Sequence, residues 1–185
     1  MKIGANYLGN NQCEFTVWAP TLKQVAVQIT SPDKRLIPMQ QSAAGYWQTT
    51  ATDIPPGTLY TYQLEGKTDW PDPASKYQPQ GVHCPSQVID ENAFTWTDTD
   101  WQGVVLAEMI IYELHVGTFT QAGTFEAIIS QLNQLKELGI NAIEIMPVAQ
   151  FPGERNWGYD GVYPYAVQNS YGGPEGFKKL INACH

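Results

Sequence analysis

The chain has 185 residues, 43% apolar and 15% charged, which describes a folded protein of one or two domains. A formal charge of −8 leaves ten Lys and Arg residues scattered along the chain, so no basic cluster exists to neutralise a row of phosphates and nucleic acid is not an expected partner. No run approaches the roughly 18 apolar residues of a membrane span, and the amino terminus lacks the apolar core of a signal peptide, so no membrane partner and a cytoplasmic location are expected.

Residues 1–68 read as short alternating strands broken by turns, the pattern of a β-sandwich. Cys13, Phe15 and Val17 alternate with polar Glu14 and Thr16, and Val25, Val27 and Ile29 repeat the pattern after a turn near Pro20. Further strands are expected at 36–39, 46–50 and 58–64, with a hairpin turned at Gly66. Trp18, Tyr46, Trp47, Tyr60 and Tyr62 have flat rings that could stack on sugars. Their alternation favours the sandwich core instead.

From 69 to 103 the alternation fades and Pro71, Pro73, Pro79 and Pro85 accumulate, which reads as a stiff linker with defined turns. His83 lies in it, with no second ligand at metal spacing, so a hydrogen-bonded structural role is expected. Cys13, Cys84 and Cys184 are an odd number at wide spacings, expected to be free thiols, and no metal or other cofactor is anticipated.

Residues 104–185 change period. The apolar run 109–116 suits a strand covered on both faces, as in parallel sheets. After Gly123-Thr124, the residues Phe125, Ile128, Ile129, Leu132, Leu135 and Leu138 recur at helical steps, and Gly139 ends the helix. A second strand, 140–146, stops at Pro147, and a further helix is expected from Pro174 to His185. This is a β-α-β unit whose second strand feeds the loop 147–163, with Trp157, Tyr159 and Asp160 on it; such loops carry the binding chemistry.

Here the sequence becomes recognisable. Ile110-Ile111-Tyr112-Glu113-Leu114-His115-Val116-Gly117-Thr118-Phe119 and Asn156-Trp157-Gly158-Tyr159-Asp160-Gly161-Val162-Tyr163 resemble the α-amylase family of glycoside hydrolases. The branch is the one that contains isoamylases, glycogen branching enzymes and malto-oligosyltrehalose trehalohydrolases. The second of those words, together with Asp72-Pro73-Ala74-Ser75 and Gln78-Pro79-Gln80-Gly81-Val82-His83, resembles the trehalohydrolase subgroup. Cys84 is one departure, at a position where that subgroup is expected to carry glycine.

The resemblance implies an immunoglobulin-like amino-terminal sandwich, sometimes a carbohydrate-binding module, followed by a (β/α)8 TIM barrel. A complete barrel takes about 250 residues, so 104–185 holds only its first two β/α units, and the last helix, ending in Ala183-Cys184-His185 without a capping glycine, reads as cut. In the family the catalytic carboxylates lie on the fourth, fifth and seventh strands. No catalytic residue is therefore assigned here, and the chain alone is expected to be inactive. Glu113 and Asp160 are read as structural. Tyr159 matches the tyrosine that stacks on glucose at the cleavage point, with Trp157 and Asp160 as further substrate-binding candidates and His115 in support near the pocket floor.

The implied partner is an α-1,4-glucan or maltooligosyl trehalose. Alternatives are a fragment of a branching or debranching enzyme, a non-catalytic α-glucan-binding module, or an inert structural fragment. Unpaired strand edges in 104–185 predict self-association or local disorder there.

Overall fold

The computed structural model describes residues 2–185. Its first part contains β1 (Gly4–Gly9), β2 (Gln12–Trp18), β3 (Val25–Ser31), β4 (Arg35–Pro38), β5 (Gln40–Gln41), β6 (Tyr46–Ala51), β7 (Leu59–Leu64), β8 (Thr68–Trp70) and β9 (Ser86–Gln87). One antiparallel sheet runs β1-β2-β6-β5 and the other β4-β3-β7-β8, with β9 also paired to β7. Tight hairpins need left-handed backbone, and Glu65-Gly66 supplies it between β7 and β8.

The period-two pattern decides what is inside. Cys13, Phe15 and Val17 meet Val25, Val27, Ile29, Tyr60 and Tyr62 across the sandwich, joined by Trp47 and Ile54. Phe15 and Tyr60 pack edge to face, ring centroids 5.0 Å apart. Trp47, Tyr60 and Tyr62 are thus core residues. Trp18 follows Val17 and takes the opposite face, 60% exposed, its indole donating to the Ala44 carbonyl at 3.0 Å. Burial pushes the Cys13 thiol up to about 12, so it serves as packing.

The proline-rich stretch is tied down at both ends. Asp72 is fully buried; its Oδ2 accepts from the Tyr60 hydroxyl at 2.6 Å and its Oδ1 from the Ala74 N–H at 2.8 Å. The Asp72 N–H donates to Ser86 Oγ at 3.1 Å. Gln78 is buried too, and with its amide nitrogen facing two carbonyls it donates to Pro85 O at 3.0 Å and Cys84 O at 3.3 Å. Cys84 is not among the residues with left-handed backbone, so this turn does not require glycine there. His83 departs from expectation: it lies exposed, and no side-chain hydrogen bond holds it among the described residues. The Cys84 N–H closes the turn onto Gly81 O at 3.2 Å, which leaves position 83 at its tip.

The second part contains β10 (Ile111–Leu114), α1 (Val116–Phe119), α2 (Phe125–Ile129), α3 (Leu132–Glu137), β11 (Ala142–Ile145), β12 (Ala149–Gln150), β13 (Tyr163–Val167) and α4 (Gly173–Cys184). β10 and β11 are parallel, with Ile111 opposite Ala142 and Leu114 opposite Ile145. Leu114, Val116, Phe125, Ile128, Phe151, Tyr171 and Leu180 form a core of their own.

Several details differ from the sequence reading. The single helix expected after Thr124 is two: Thr124 caps α2 by accepting from Ala127 N–H, but Ser130 Oγ donates back to Ala127 O at 2.7 Å and the helix breaks before α3. Strand pairing begins at Ala142 because Asn141 is spent on a clamp, accepting from Ile110 N–H at 2.7 Å and donating to Glu108 O at 2.8 Å. β10 is not covered on both faces: among the described residues it pairs only with β11, and Ile111 is 52% exposed. Leu138, expected on the buried helix face, is 77% exposed just past the end of α3.

Candidate functional site

Because β10 and β11 are parallel and in register, their carboxyl ends coincide, and the loops that leave them emerge side by side. The first opens with His115. The second leaves β11, enters β12, and makes an excursion from 151 to 162 before returning as β13, Gln150 facing Tyr163 across the antiparallel pair.

Two buried glutamines hold the base of that excursion. Gln168 Oε1 accepts from Phe151 N–H at 2.9 Å while its Nε2 donates to Gly153 O at 3.0 Å and Ser170 Oγ at 2.9 Å. Gln150 Oε1 accepts from Asn169 N–H at 2.9 Å, and its Nε2 donates to Phe151 O at 3.1 Å. Buried loop backbone needs partners, and these amides supply them. Gln168→Leu keeps the volume but orphans the Phe151 N–H, so a loss of about 1–2 kcal/mol in urea unfolding is expected, together with faster exchange of the Phe151 amide. An unchanged midpoint would show that water replaces the amide.

The loop base also rests on the Gln78–His83 word. Tyr163 Oη donates to Val82 O at 2.8 Å and Asn169 Nδ2 to Pro79 O at 3.1 Å. Val82, Tyr163 and Ala166 form a small buried cluster there.

At the tip, glycine is required by contact. Gly158 has φ +95°, and a Cβ on it would lie 2.5 Å from Pro147 O. This close approach seats the loop on the end of β11. Its flanking side chains therefore turn outward: Trp157 is 73% exposed and Tyr159 74%. Asp160 is exposed and accepts from Asn156 Nδ2 at 3.0 Å. Asn156 also accepts from Gly158 N–H at 2.7 Å through its Oδ1.

His115 joins the two loops. Its Nε2 lies 2.6 Å from Asn156 O, and since a carbonyl only accepts, Nε2 carries the proton. Thr118 Oγ1 then donates to Nδ1 at 3.3 Å. The His115 and Trp157 ring centroids are 6.2 Å apart, edge to face. A cavity of about 520 Å³ opens here, lined by His115, Gly117, Thr118, Arg155, Asn156 and Trp157.

Of the residues singled out in the sequence, Trp157 lines this cavity with His115, whereas Tyr159 and Asp160 are exposed on the same loop tip and are not part of its lining. Glu113 is elsewhere, in mid-strand opposite Glu144. Asn156, Gln150 and Gln168 escaped the sequence reading, because neutral amides carry no periodicity or charge signal. The Asn-x-Gly spacing, which favours a side-chain-capped turn, is the signal that could have found Asn156. Among the described residues no group of three or more His, Cys, Asp or Glu side chains could hold a metal ion. No helix among them is long and apolar enough to cross a membrane.

Residues 2–79 match the carbohydrate-binding module 48 family, described as the isoamylase N-terminal domain, and residues 89–185 match the alpha amylase catalytic-domain family. The malto-oligosyltrehalose trehalohydrolase of Saccharolobus solfataricus is 50% identical over 92% of this chain, and that of Deinococcus radiodurans 40% identical over 100%. The chain spans 30% of the length of each. A crystal structure of a Salmonella typhimurium protein assigned to the alpha amylases superposes with a TM-score of 0.93 at 41% identity, covering 99% of this chain and 31% of that one.

Proposed function

We propose a function on one premise, that this chain belongs to the α-amylase catalytic-domain family: it is the sandwich and first barrel portion of a glycoside hydrolase that frees trehalose from maltooligosyl trehalose by hydrolysing an α-1,4 bond. The observation that carries this reading is the pair of exposed rings, Trp157 and Tyr159, on a glycine-seated loop at the carboxyl end of two parallel strands. An exposed aromatic ring on a braced loop is suited to stack on the apolar face of a pyranose. Tyr159 is the platform, with Trp157 and Asp160 beside it.

Hydrolysis of a glycosidic bond by the family's two-carboxylate chemistry needs an acid/base and a nucleophile flanking the bond. In this reading those groups come from later strands, and the present residues bind and orient. The chain alone is therefore expected to release no trehalose from maltotriosyltrehalose at high protein concentration. Turnover that survives repurification and disappears in Glu113→Gln or Asp160→Asn would overturn it. The division at 1–68, 69–103 and 104–185 and a cytoplasmic location belong to the same reading.

The exposed side chains of β10 and its flanks give a second consequence. Ile110, Ile111, Val105 and Leu106 are all more than half exposed, a face suited to further barrel strands. The isolated chain is expected to self-associate through 104–185 or to be locally disordered there. Light scattering after size exclusion checks this, and a monodisperse monomer whose second part resists protease as well as its first would contradict it.

A further inference from the structure

We propose that Asn156 is the positioning residue of this aromatic loop tip, setting the angle at which Trp157 and Tyr159 meet a sugar; the kinetic part rests on the glucan-binding reading above. Trp157 and Tyr159 are mostly exposed, so packing does little to fix their direction. The backbone that carries them must be held instead. Among the described residues, every hydrogen bond made by residues 154–161 involves Asn156.

Its three contacts act in three directions. Asn156 Oδ1 accepts from Gly158 N–H at 2.7 Å, closing a side-chain-capped turn that puts Trp157 at its apex. Nδ2 donates to the Asp160 carboxylate at 3.0 Å, drawing in the residue beyond Tyr159. The Asn156 carbonyl accepts from His115 Nε2 at 2.6 Å, which ties the turn to the residue just past β10. Trp157 and Tyr159 are thus bracketed on both sides by one side chain. Loss of the amide would leave the rings in place on average but free to tilt, which weakens stacking without touching reacting groups.

The test has two arms. In the 185-residue chain, amide hydrogen exchange at Gly158 is expected to quicken about five- to tenfold in Asn156→Ala, the equivalent of one hydrogen bond, and to stay near wild type in Asn156→Ser, whose hydroxyl can still cap the turn. In the full-length enzyme, Asn156→Ala is expected to raise KM for maltotriosyltrehalose about tenfold with kcat within about twofold, and Asn156→Ser to recover part of the loss. A residue that merely stabilises the loop would lower Tm and leave KM unchanged.

Unchanged Gly158 exchange in Asn156→Ala overturns the proposal. So does an unchanged KM in that variant when Tyr159→Ala impairs the same enzyme. If exchange quickens but neither Asn156→Ala nor Tyr159→Ala alters kinetics, positioning stands and the glucan-binding reading fails.

Discussion

Lowering the pH from 7 to 4 is expected to shift the stability difference between the wild-type chain and Asp72→Asn by about 2 kcal/mol in favour of wild type. Burial is the main cause: desolvation lifts the Asp72 carboxyl from 3.8 to about 6, against the opposing hydrogen bonds from Tyr60 and Ala74 N–H. A carboxyl whose folded pKa is raised binds its proton more tightly in the native state. Its stabilising contribution is therefore complete below about 4 and is lost as pH rises through about 6. Asparagine keeps an acceptor for Ala74 N–H and cannot ionise, so its pH profile lacks this component. Other groups titrate in both proteins and cancel in the difference. Urea unfolding of both proteins at several pH values measures it, and a difference that stays constant between pH 4 and 7 would show that Asp72 is more hydrated than its burial implies.

This carboxyl also shows how the sandwich is joined to the second part of the chain. Asp72 is held by Tyr60 of β7 and by Ser86 of β9, while the stretch between Asp72 and Ser86 turns back to support Tyr163. A pH-sensitive weakening at Asp72 therefore acts at the seam between the sheets and the loop base. Proteolysis within 72–86 should be faster at pH 7 than at pH 5 in wild type and lose that dependence in Asp72→Asn.

Much of this architecture was legible from local pattern. Cys13, Phe15 and Val17 alternate because one sheet face is dry, and that face is the one observed. Thr124 and Gly139 bracket the helical segment where their chemistry requires, one as a side-chain cap and the other with left-handed backbone. The break at Ser130 was not legible, since a serine hydroxyl that bonds back to the preceding turn looks like any exposed polar residue. Nor was the uncovered β10. Its composition reads as a doubly buried strand, and composition cannot say how much of the sheet accompanies it.

The candidate site divides in the same way. Tyr159, Trp157 and Asp160 could be placed on a loop from strand order and a recognisable word. Their outward orientation depends on Gly158 approaching Pro147 O, which is a contact between residues eleven positions apart and has no local signature. Gln150 and Gln168 were hidden for a related reason: each is polar in composition and fully buried in fact, because its partners are loop backbone groups distant in sequence.

The proposed role of Tyr159 as the sugar platform of a trehalose-releasing hydrolase is tested most directly by a single substitution. Tyr159→Ala is introduced into the full-length enzyme, and kcat/KM for trehalose release from maltotriosyltrehalose is compared with wild type. The side chain is 74% exposed and makes no hydrogen bond among the described residues, so truncation should leave the fold intact and remove only the stacking surface. A fall of roughly ten- to hundredfold is expected, about 1.4–2.7 kcal/mol of transition-state stabilisation, with Tm unchanged. An unchanged kcat/KM in a folded variant would contradict it and return Tyr159 to the role of an exposed loop residue.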